Sequence, residues 1–183
     1  LAALCFGGPE EELTQTVNAQ PAILTTSVAV LLALGGRLDA AGRLELPAAL
    51  PCPAFVAGHS LGEYSALVAA GALSFPDALR LVRERGRLMK LAGERSPGGM
   101  AAVIKLDDAD VERACRDAAG EIGAPVQIAN YNAPGQVVIS GDRRALERAI
   151  ALLQERGGKR IVPLAVSIAA HSPLMASVVQ EYR

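Results

Sequence analysis

Of the 183 residues, 51% are hydrophobic and 20% are charged, so the chain has the apolar content of a folded core and is not a disordered segment. Aromatic residues make up only 3%, and the core must therefore be built from Ala, Val, Leu and Ile. A formal net charge of −1 offers no basic surface to a nucleic acid or an anionic membrane, and we expect neither as a partner.

The first predicted element is a helix over residues 15–34, which Gly35 and Gly36 end. Its apolar stretch, residues 22–34, is too short to span a bilayer and is interrupted by hydroxyl side chains, so it is expected to be a core helix. The chain begins at Leu1 and ends at Arg183 inside a predicted helix. We therefore expect it to be part of a longer protein, and a poor enzyme when expressed alone.

The next stretch predicts a connection, a strand and two helices. Residues 37–53 hold three prolines and are interpreted as a connection, and residues 54–57 form a short apolar run typical of a buried strand. An Ala- and Leu-rich helix is predicted over residues 61–73. Ser74 is expected to cap a second helix that ends near residue 91, and the cluster at residues 96–99 predicts a turn.

The periodicity changes after this turn. The predicted order is strand, helix, strand, strand, helix, strand, over residues 100–106, 107–121, 126–130, 136–140, 142–156 and 160–166. This is the order of a ferredoxin-like split βαβ unit. We therefore predict an α/β protein: an α/β-hydrolase-like body from residues 1–98 and 166–183, with an inserted ferredoxin-like α+β subdomain, residues 99–165.

Residues 58–62, Gly-His-Ser-Leu-Gly, fit the G-x-S-x-G pattern of a nucleophile elbow. The predicted strand before the pattern and the predicted helix after it are the setting that an elbow requires. Gly58 and Gly62 are interpreted as the residues that keep this tight turn free of side chains. Ser60 is the predicted nucleophile, and the amide of Leu61 is the natural donor to an oxyanion.

A serine hydroxyl needs a base, and the sequence has two histidines. His59 adjoins Ser60 on a tight turn, where neighbouring side chains point apart, so it is a poor base. His171 follows the last predicted strand and precedes a helix, and it is the predicted base. Asp142 and Glu181 are possible partners for it, but nothing in the sequence supports either. The alternative is a backbone carbonyl or a group outside the chain.

The predicted helix over residues 76–91 places an arginine on its apolar side. Arg85 falls between Leu81 and the pair Leu88-Met89, and Gly86 beside it allows close approach. A guanidinium facing inward needs an anion. A structural ion pair and a snorkelling side chain remain as alternatives to a bidentate site for a substrate carboxylate.

The cysteines Cys5, Cys52 and Cys115 are odd in number, widely spaced and without a C-x-x-C motif. This pattern argues against a disulfide framework or a zinc site, and it favours buried free thiols in a reducing cytoplasm. We expect neither a metal nor a cofactor.

Motifs along nearly the whole chain resemble those of malonyl-CoA:acyl-carrier-protein transacylases and the related acyltransferase domains of polyketide synthases. The matching segments follow the family's order: residues 18–24, 58–67, 85–86 with Met89, 99–103, 130–136 with 140–141, and 166–167 leading to 171–175.

The resemblance implies a role for each site residue. Ser60 would carry the acyl group as an ester, and His171, oriented by a main-chain carbonyl, would act as base and then acid. Arg85 would bind the malonyl carboxylate, while Gln20 and Asn130 would lie near the site. The implied activity is malonyl transfer from coenzyme A to acyl carrier protein in fatty acid biosynthesis.

The chain departs from the family pattern at three points. The N-terminal Gly-Gln-Gly-Ser-Gln loop, which supplies a second oxyanion amide in the family, and the C-terminal segment that orients the histidine are both absent from the sequence. The small Ala170 before His171 leaves the choice between malonyl and methylmalonyl open. The alternatives are a polyketide synthase domain, a serine esterase, and a non-catalytic module that docks a carrier protein.

Overall fold

The computed structural model describes residues 1–49, 51, 53–166 and 168–183. The chain divides into two compact units, Leu1–Arg87 and Leu88–Arg183. The helix predicted over residues 15–34 is confirmed, as is the predicted order of strands and helices between residues 98 and 163. The region between that first helix and Ser60 differs from the prediction, and the helix predicted at the end of the chain begins as a 3-10 helix.

Helices make up most of the first unit. In chain order its elements are α1 (Ala2–Gly7), α2 (Glu10–Leu13), α3 (Thr16–Ala33), a short hairpin of β1 (Arg37–Leu38) and β2 (Leu44–Glu45), α4 (Gly62–Ala69) and α5 (Phe75–Arg95), which continues into the second unit. The hairpin replaces the connection predicted for residues 37–53. Ser74 caps α5 as predicted, since its Oγ accepts a hydrogen bond from the Asp77 amide and donates one to the Asp77 carboxylate.

Helix α3 supplies the core of the first unit. Leu24 and Val28 are buried and pack with Leu61, Val68 and Val82 from α4, α5 and the turn before α4. The 18 residues of α3 make it longer than the apolar stretch on which the sequence argument relied. By length and composition alone it is a candidate membrane span, a weak criterion that core helices of soluble proteins also meet.

The strand predicted over residues 54–57 does not form, and this expectation was wrong. Residue 54 lies in a bend, residues 55–57 form no regular secondary structure, and the Phe55 side chain is 93% exposed. A strand exists only beside another strand that supplies its hydrogen bonds. The strands described in the first unit, β1 and β2, pair only with each other.

The second unit is built around a four-stranded sheet. Its elements are β3 (Gly98–Ile104), α6 (Asp108–Ile122), β4 (Val126–Ala133), β5 (Gln136–Asp142), α7 (Arg143–Glu155), β6 (Arg160–Pro163), a 3-10 helix (Pro173–Val178) and α8 (Val179–Tyr182). The strand order is β4-β5-β3-β6, and every neighbouring pair is antiparallel. The turn predicted at residues 96–99 is shorter than expected because β3 already begins at Gly98.

The two faces of this sheet carry different partners. Val103, Val137 and Ile139 point to one face and form a core with α6 and α7. Met100 and Val138 point to the other face, where Ala170 packs against them. The segment that carries His171 therefore rests on the face of the sheet opposite the helices.

The cysteines differ in exposure. Cys115 is buried in the core of the second unit, and burial, with a smaller contribution from Glu112, raises the pKa of its thiol to about 12. Cys115 is therefore an unreactive neutral thiol. Cys5 is free but exposed, which corrects the expectation of buried thiols, because α1 buries none of its residues. Cys52 and Ser167 lie outside the described residues.

Candidate active site

Ser60 occupies a strained turn immediately before α4. Its φ angle is 53°, in the left-handed region that a non-glycine residue enters only when its surroundings hold it there. The side chain is half-buried. Left-handed backbone at a serine immediately before a helix is a feature of a nucleophile elbow.

The two glycines of the motif have different roles. A Cβ at Gly58 would lie 1.9 Å from the Gly62 carbonyl oxygen, so the turn closes only without a side chain there. A Cβ at Gly62 would meet nothing within 4 Å among the described residues. The prediction that both glycines are needed for space is supported at Gly58 and corrected at Gly62.

We expect Gly58→Ala to disrupt the elbow and Gly62→Ala to leave it intact. The Gly58 substitution forces backbone apart, and overpacking of this kind costs about 3 kcal/mol. Gly62 is the first residue of α4, where alanine is the better helix former by up to about 1 kcal/mol. Urea unfolding of both variants measures the difference. Equal losses of stability would contradict the assignment.

The backbone beyond Ser60 presents an amide that suits an oxyanion. The amides of Gly62 and Tyr64 donate to the carbonyls of His59 and Leu61, at 2.8 and 3.0 Å. Within the described residues, the amide of Leu61 makes no hydrogen bond to another backbone carbonyl. It stands directly after the serine at a helix N-terminus, where amides lack intrahelical acceptors.

Arg85 lies beside the serine. Its Nη2 donates to Ser60 Oγ at 3.1 Å, and its Nη1 donates to Gln20 Oε1 at 2.6 Å. Gln20 is only 5% exposed, and its Nε2 donates to Thr16 Oγ1 at 2.6 Å. The first unit therefore brings three predicted site residues, Ser60, Arg85 and Gln20, into one hydrogen-bonded chain.

The surroundings of Arg85 test one alternative left by the sequence, a structural ion pair. On the same helix, Arg80 and Arg87 pair with the carboxylates of Asp77 and Glu84. Within the described part of the chain, Arg85 forms no ion pair and is held instead by neutral oxygens. A structural ion pair of Arg85 is thus excluded among these residues.

The apolar stripe on α5 also needs a correction. Leu88 is buried as predicted and Val82 is buried as well, but Leu81 is 40% exposed. The buried positions Ala78, Val82 and Ala92 follow helical spacing, and half-buried Arg85 lies on that line. The inward position of Arg85 is therefore confirmed, although Leu81 does not define the stripe.

His171 lies in a tight loop of the second unit with a φ angle of 58°. Its carbonyl accepts a hydrogen bond from Gln127 Nε2 at 3.1 Å. The buried Ser172 donates its hydroxyl to the Ala169 carbonyl at 2.7 Å and accepts from the Leu174 amide at 3.3 Å. The backbone of this exposed histidine is therefore fixed on both sides.

The other candidates also have definite places. Asp142 caps α7 through the amides of Arg144 and Ala145, and Glu181 pairs with Arg95, so both carboxylates have other partners. Asn130 is half-buried on β4, at a register shift against β5. His59 is exposed beside Ser60.

Among residues 1–49, 51, 53–166 and 168–183, no three His, Cys, Asp or Glu side chains lie together as metal ligands would.

Sequence and structure comparisons identify the family. The sequence-family model of the acyl transferase domain matches residues 2–183. The chain belongs to the acyl transferase domain family. One relative, malonyl CoA-acyl carrier protein transacylase of Salmonella typhimurium, is 48% identical over 96% of this chain and 52% of the relative. The chain spans about half the length of the curated relatives it matches.

Solved structures resemble this acyl transferase domain closely. The malonyl-CoA:acyl carrier protein transacylase of Xanthomonas oryzae is 46% identical, with a TM-score of 0.86 over 99% of this chain and 54% of that one. A malonyl-transacylase in complex with a type II PKS acyl-carrier protein is 43% identical, with a TM-score of 0.84 over 99% of this chain and 54% of that one. The fold is thus of the mixed α/β kind found in these enzymes.

The sequence argument missed two side chains of this acyl transferase domain, Thr16 and Gln127. Thr16 lies four residues before Gln20, and this spacing places both side chains on one face of α3. The contact could therefore have been predicted from the sequence. Gln127 contacts His171, 44 positions further along the chain, and no local pattern announces such a contact.

Proposed function

We propose that this acyl transferase domain moves a malonyl group from malonyl-CoA to the phosphopantetheine thiol of an acyl carrier protein, in fatty acid biosynthesis. The observation that carries the proposal is the 3.1 Å hydrogen bond between Arg85 Nη2 and Ser60 Oγ. It places a cation that binds carboxylates beside the nucleophile of an elbow, and malonyl is an acyl group with a free carboxylate. The relatives named above as malonyl transacylases support the same substrate.

The first half-reaction acylates Ser60. Its Oγ attacks the thioester carbonyl of malonyl-CoA while His171 takes the hydroxyl proton. The Leu61 amide stabilises the oxyanion of the tetrahedral intermediate. As the C–S bond breaks, His171 returns the proton to the departing sulfur, and coenzyme A leaves as the thiol.

The second half-reaction runs the same chemistry in reverse. The thiol of the carrier protein loses its proton to His171 and attacks the Ser60 ester. The C–O bond then breaks, and His171 gives the proton back to Ser60 Oγ. These steps need no cofactor or metal. In each half-reaction His171 accepts the proton of the attacking group and returns it to the leaving group.

The role of His171 as the base is a separate part of the proposal. It is supported by the left-handed backbone at His171 and by the Gln127 and Ser172 hydrogen bonds that hold its loop. We propose that Asn130, on the strand that carries Gln127, contributes to substrate binding. Gln20 serves the same purpose through Arg85, which it contacts directly.

We further propose that residues 99–165 form a ferredoxin-like subdomain inserted into an α/β-hydrolase-like body of residues 1–98 and 166–183. The order β4-β5-β3-β6, with α6 and α7 packed on one face, supports the subdomain. The elbow at Ser60 supports the body. A cytoplasmic location fits both the exposed free thiol of Cys5 and the proposed substrates.

A second candidate is malonyl transfer within polyketide synthesis. The solved complex of a malonyl-transacylase with a type II PKS acyl-carrier protein favours it. The half-reactions would be identical and only the carrier protein would differ. Comparing turnover with fatty acid and polyketide carrier proteins at equal concentration distinguishes the two candidates. A serine esterase is less well supported, because its substrates give Arg85 no anion to bind.

We expect Arg85→Ala to lower malonyl transfer about 100-fold and to leave acetyl transfer within several-fold of the parent, because only malonyl offers a carboxylate to the lost guanidinium. The measurement is kcat/KM for both acyl-CoA substrates with the full-length protein. Arg83→Ala is the matched control, since Arg83 is exposed on the same helix and only two residues away. An unchanged malonyl-to-acetyl ratio in Arg85→Ala would refute the carboxylate-binding role.

A further inference from the structure

The orientation of the Gln20 amide controls what Arg85 can do. A guanidinium only donates hydrogen bonds, so Gln20 must present its oxygen, and not its NH2 group, to Arg85. The 2.6 Å distance from Arg85 Nη1 to Gln20 Oε1 is that of a well-formed hydrogen bond. With the amide reversed, two donors would face each other.

Thr16 accepts a hydrogen bond from the other end of this amide. Gln20 Nε2 donates to Thr16 Oγ1 at 2.6 Å, so the end of the amide turned away from Arg85 has an acceptor. Gln20 is buried, and a buried donor left without an acceptor is costly. Removing the hydroxyl therefore removes an acceptor that favours the orientation in which Gln20 holds the guanidinium.

Close packing holds the backbone of Thr16 itself. A Cβ at Gly86 would lie 2.7 Å from both the Thr16 carbonyl oxygen and the Val17 Cα. The start of α3 thus touches α5 next to Arg85, as the expected close approach at Gly86 requires. Thr16 is also one helical turn before Gln20, so both side chains lie on the same face of α3.

We propose that Thr16 is a positioning residue for carboxylate selection. Its hydroxyl fixes the Gln20 amide, which aims the Arg85 guanidinium at Ser60 Oγ and at the carboxylate of the bound acyl group. This inference rests on the proposed function, because it concerns how Arg85 is positioned to bind a carboxylate.

The test removes the hydroxyl of Thr16 with valine, a side chain of nearly the same shape. In the full-length protein, Thr16→Val is expected to lower kcat/KM for malonyl-CoA about 10-fold and to reduce the malonyl-to-acetyl ratio, as Arg85→Ala does to a larger extent. Thr16→Ser, which keeps the acceptor, should restore the ratio. Thr26→Val is the matched control, because Thr26 is an exposed residue of α3 whose hydroxyl donates to the Ala22 carbonyl within the same helix.

A double-mutant cycle separates action through Gln20 from a general loss of structure. If Thr16 acts through Gln20, Thr16→Val adds little to Gln20→Met, whereas independent effects multiply. If Thr16→Val does not fold, Thr16→Ala also lacks the hydroxyl and places less bulk at the site. An unchanged ratio in the folded hydroxyl-free variant, or a Thr16→Ser variant as impaired as Thr16→Val, overturns the inference.

Arg85→Ala, assayed alongside, separates this inference from the proposed function. If Arg85→Ala shifts the ratio and Thr16→Val does not, only the role of Thr16 is wrong. If Arg85→Ala leaves the ratio unchanged, the carboxylate-binding role of Arg85 is wrong, and the inference that rests on it is overturned with it.

Discussion

Ser60→Ala is expected to abolish covalent malonylation and to lower malonyl transfer by roughly 10⁴-fold or more, because alanine has no nucleophile to form the ester. The full-length protein is incubated with malonyl-CoA, digested and analysed by mass spectrometry. The parent protein should gain one malonyl group on the peptide that contains Ser60. The variant should gain none.

Ser65→Ala is the matched control for this experiment. Ser65 lies on α4, five residues after Ser60, so a labelled peptide that contains both does not by itself assign the modified residue. Its substitution should leave labelling intact. Continued labelling of Ser60→Ala, or loss of labelling in Ser65→Ala, would move the nucleophile elsewhere and overturn the proposed mechanism.

His171→Ala is expected to lower the rate of Ser60 acylation by about 10³–10⁴-fold, since a serine hydroxyl without its base is a poor nucleophile. Binding of malonyl-CoA should change far less, because Arg85 and the elbow remain. Single-turnover acylation separates the two effects, as it reports the chemical step at saturating substrate.

The second histidine provides the comparison for this variant. His59→Ala tests the neighbour of Ser60, which the sequence argument set aside as a base. It should affect acylation only modestly. A larger loss in His59→Ala than in His171→Ala, with both variants folded, would contradict the assignment of His171. Partial recovery of His171→Ala by added imidazole would support it.

The local sequence was sufficient for most secondary structure after residue 96. Strands β3, β4 and β5 and helices α6 and α7 lie where alternation and helical periodicity predict them, with ends within about three residues. Asp107 and Asp142 cap the two helices through their carboxylates, a local signal visible in the sequence. In this region, the elements predicted from the sequence pattern are the ones that the structure contains.

The predicted strand before Ser60 failed because its evidence was only composition. Residues 54–57 are apolar, but strand formation depends on a neighbouring strand, and no local pattern specifies one. The hairpin of β1 and β2 was missed for the same reason, since each strand has only two residues and too little alternation to detect.

The sequence by itself was enough to identify the serine and its motif, the candidate histidine and the inward position of Arg85. These features depend on residue type and on spacing along one element. The tertiary structure decided what Arg85 touches: two neutral oxygens and no carboxylate among the described residues. It also showed that a side chain at Gly58 would collide with backbone, that one at Gly62 would meet nothing within 4 Å among the described residues, and that Gln20 donates a hydrogen bond to Thr16. These facts depend on atoms from separate helices meeting within hydrogen-bond distance. Periodicity places a residue on a face but does not say which side chain it will meet.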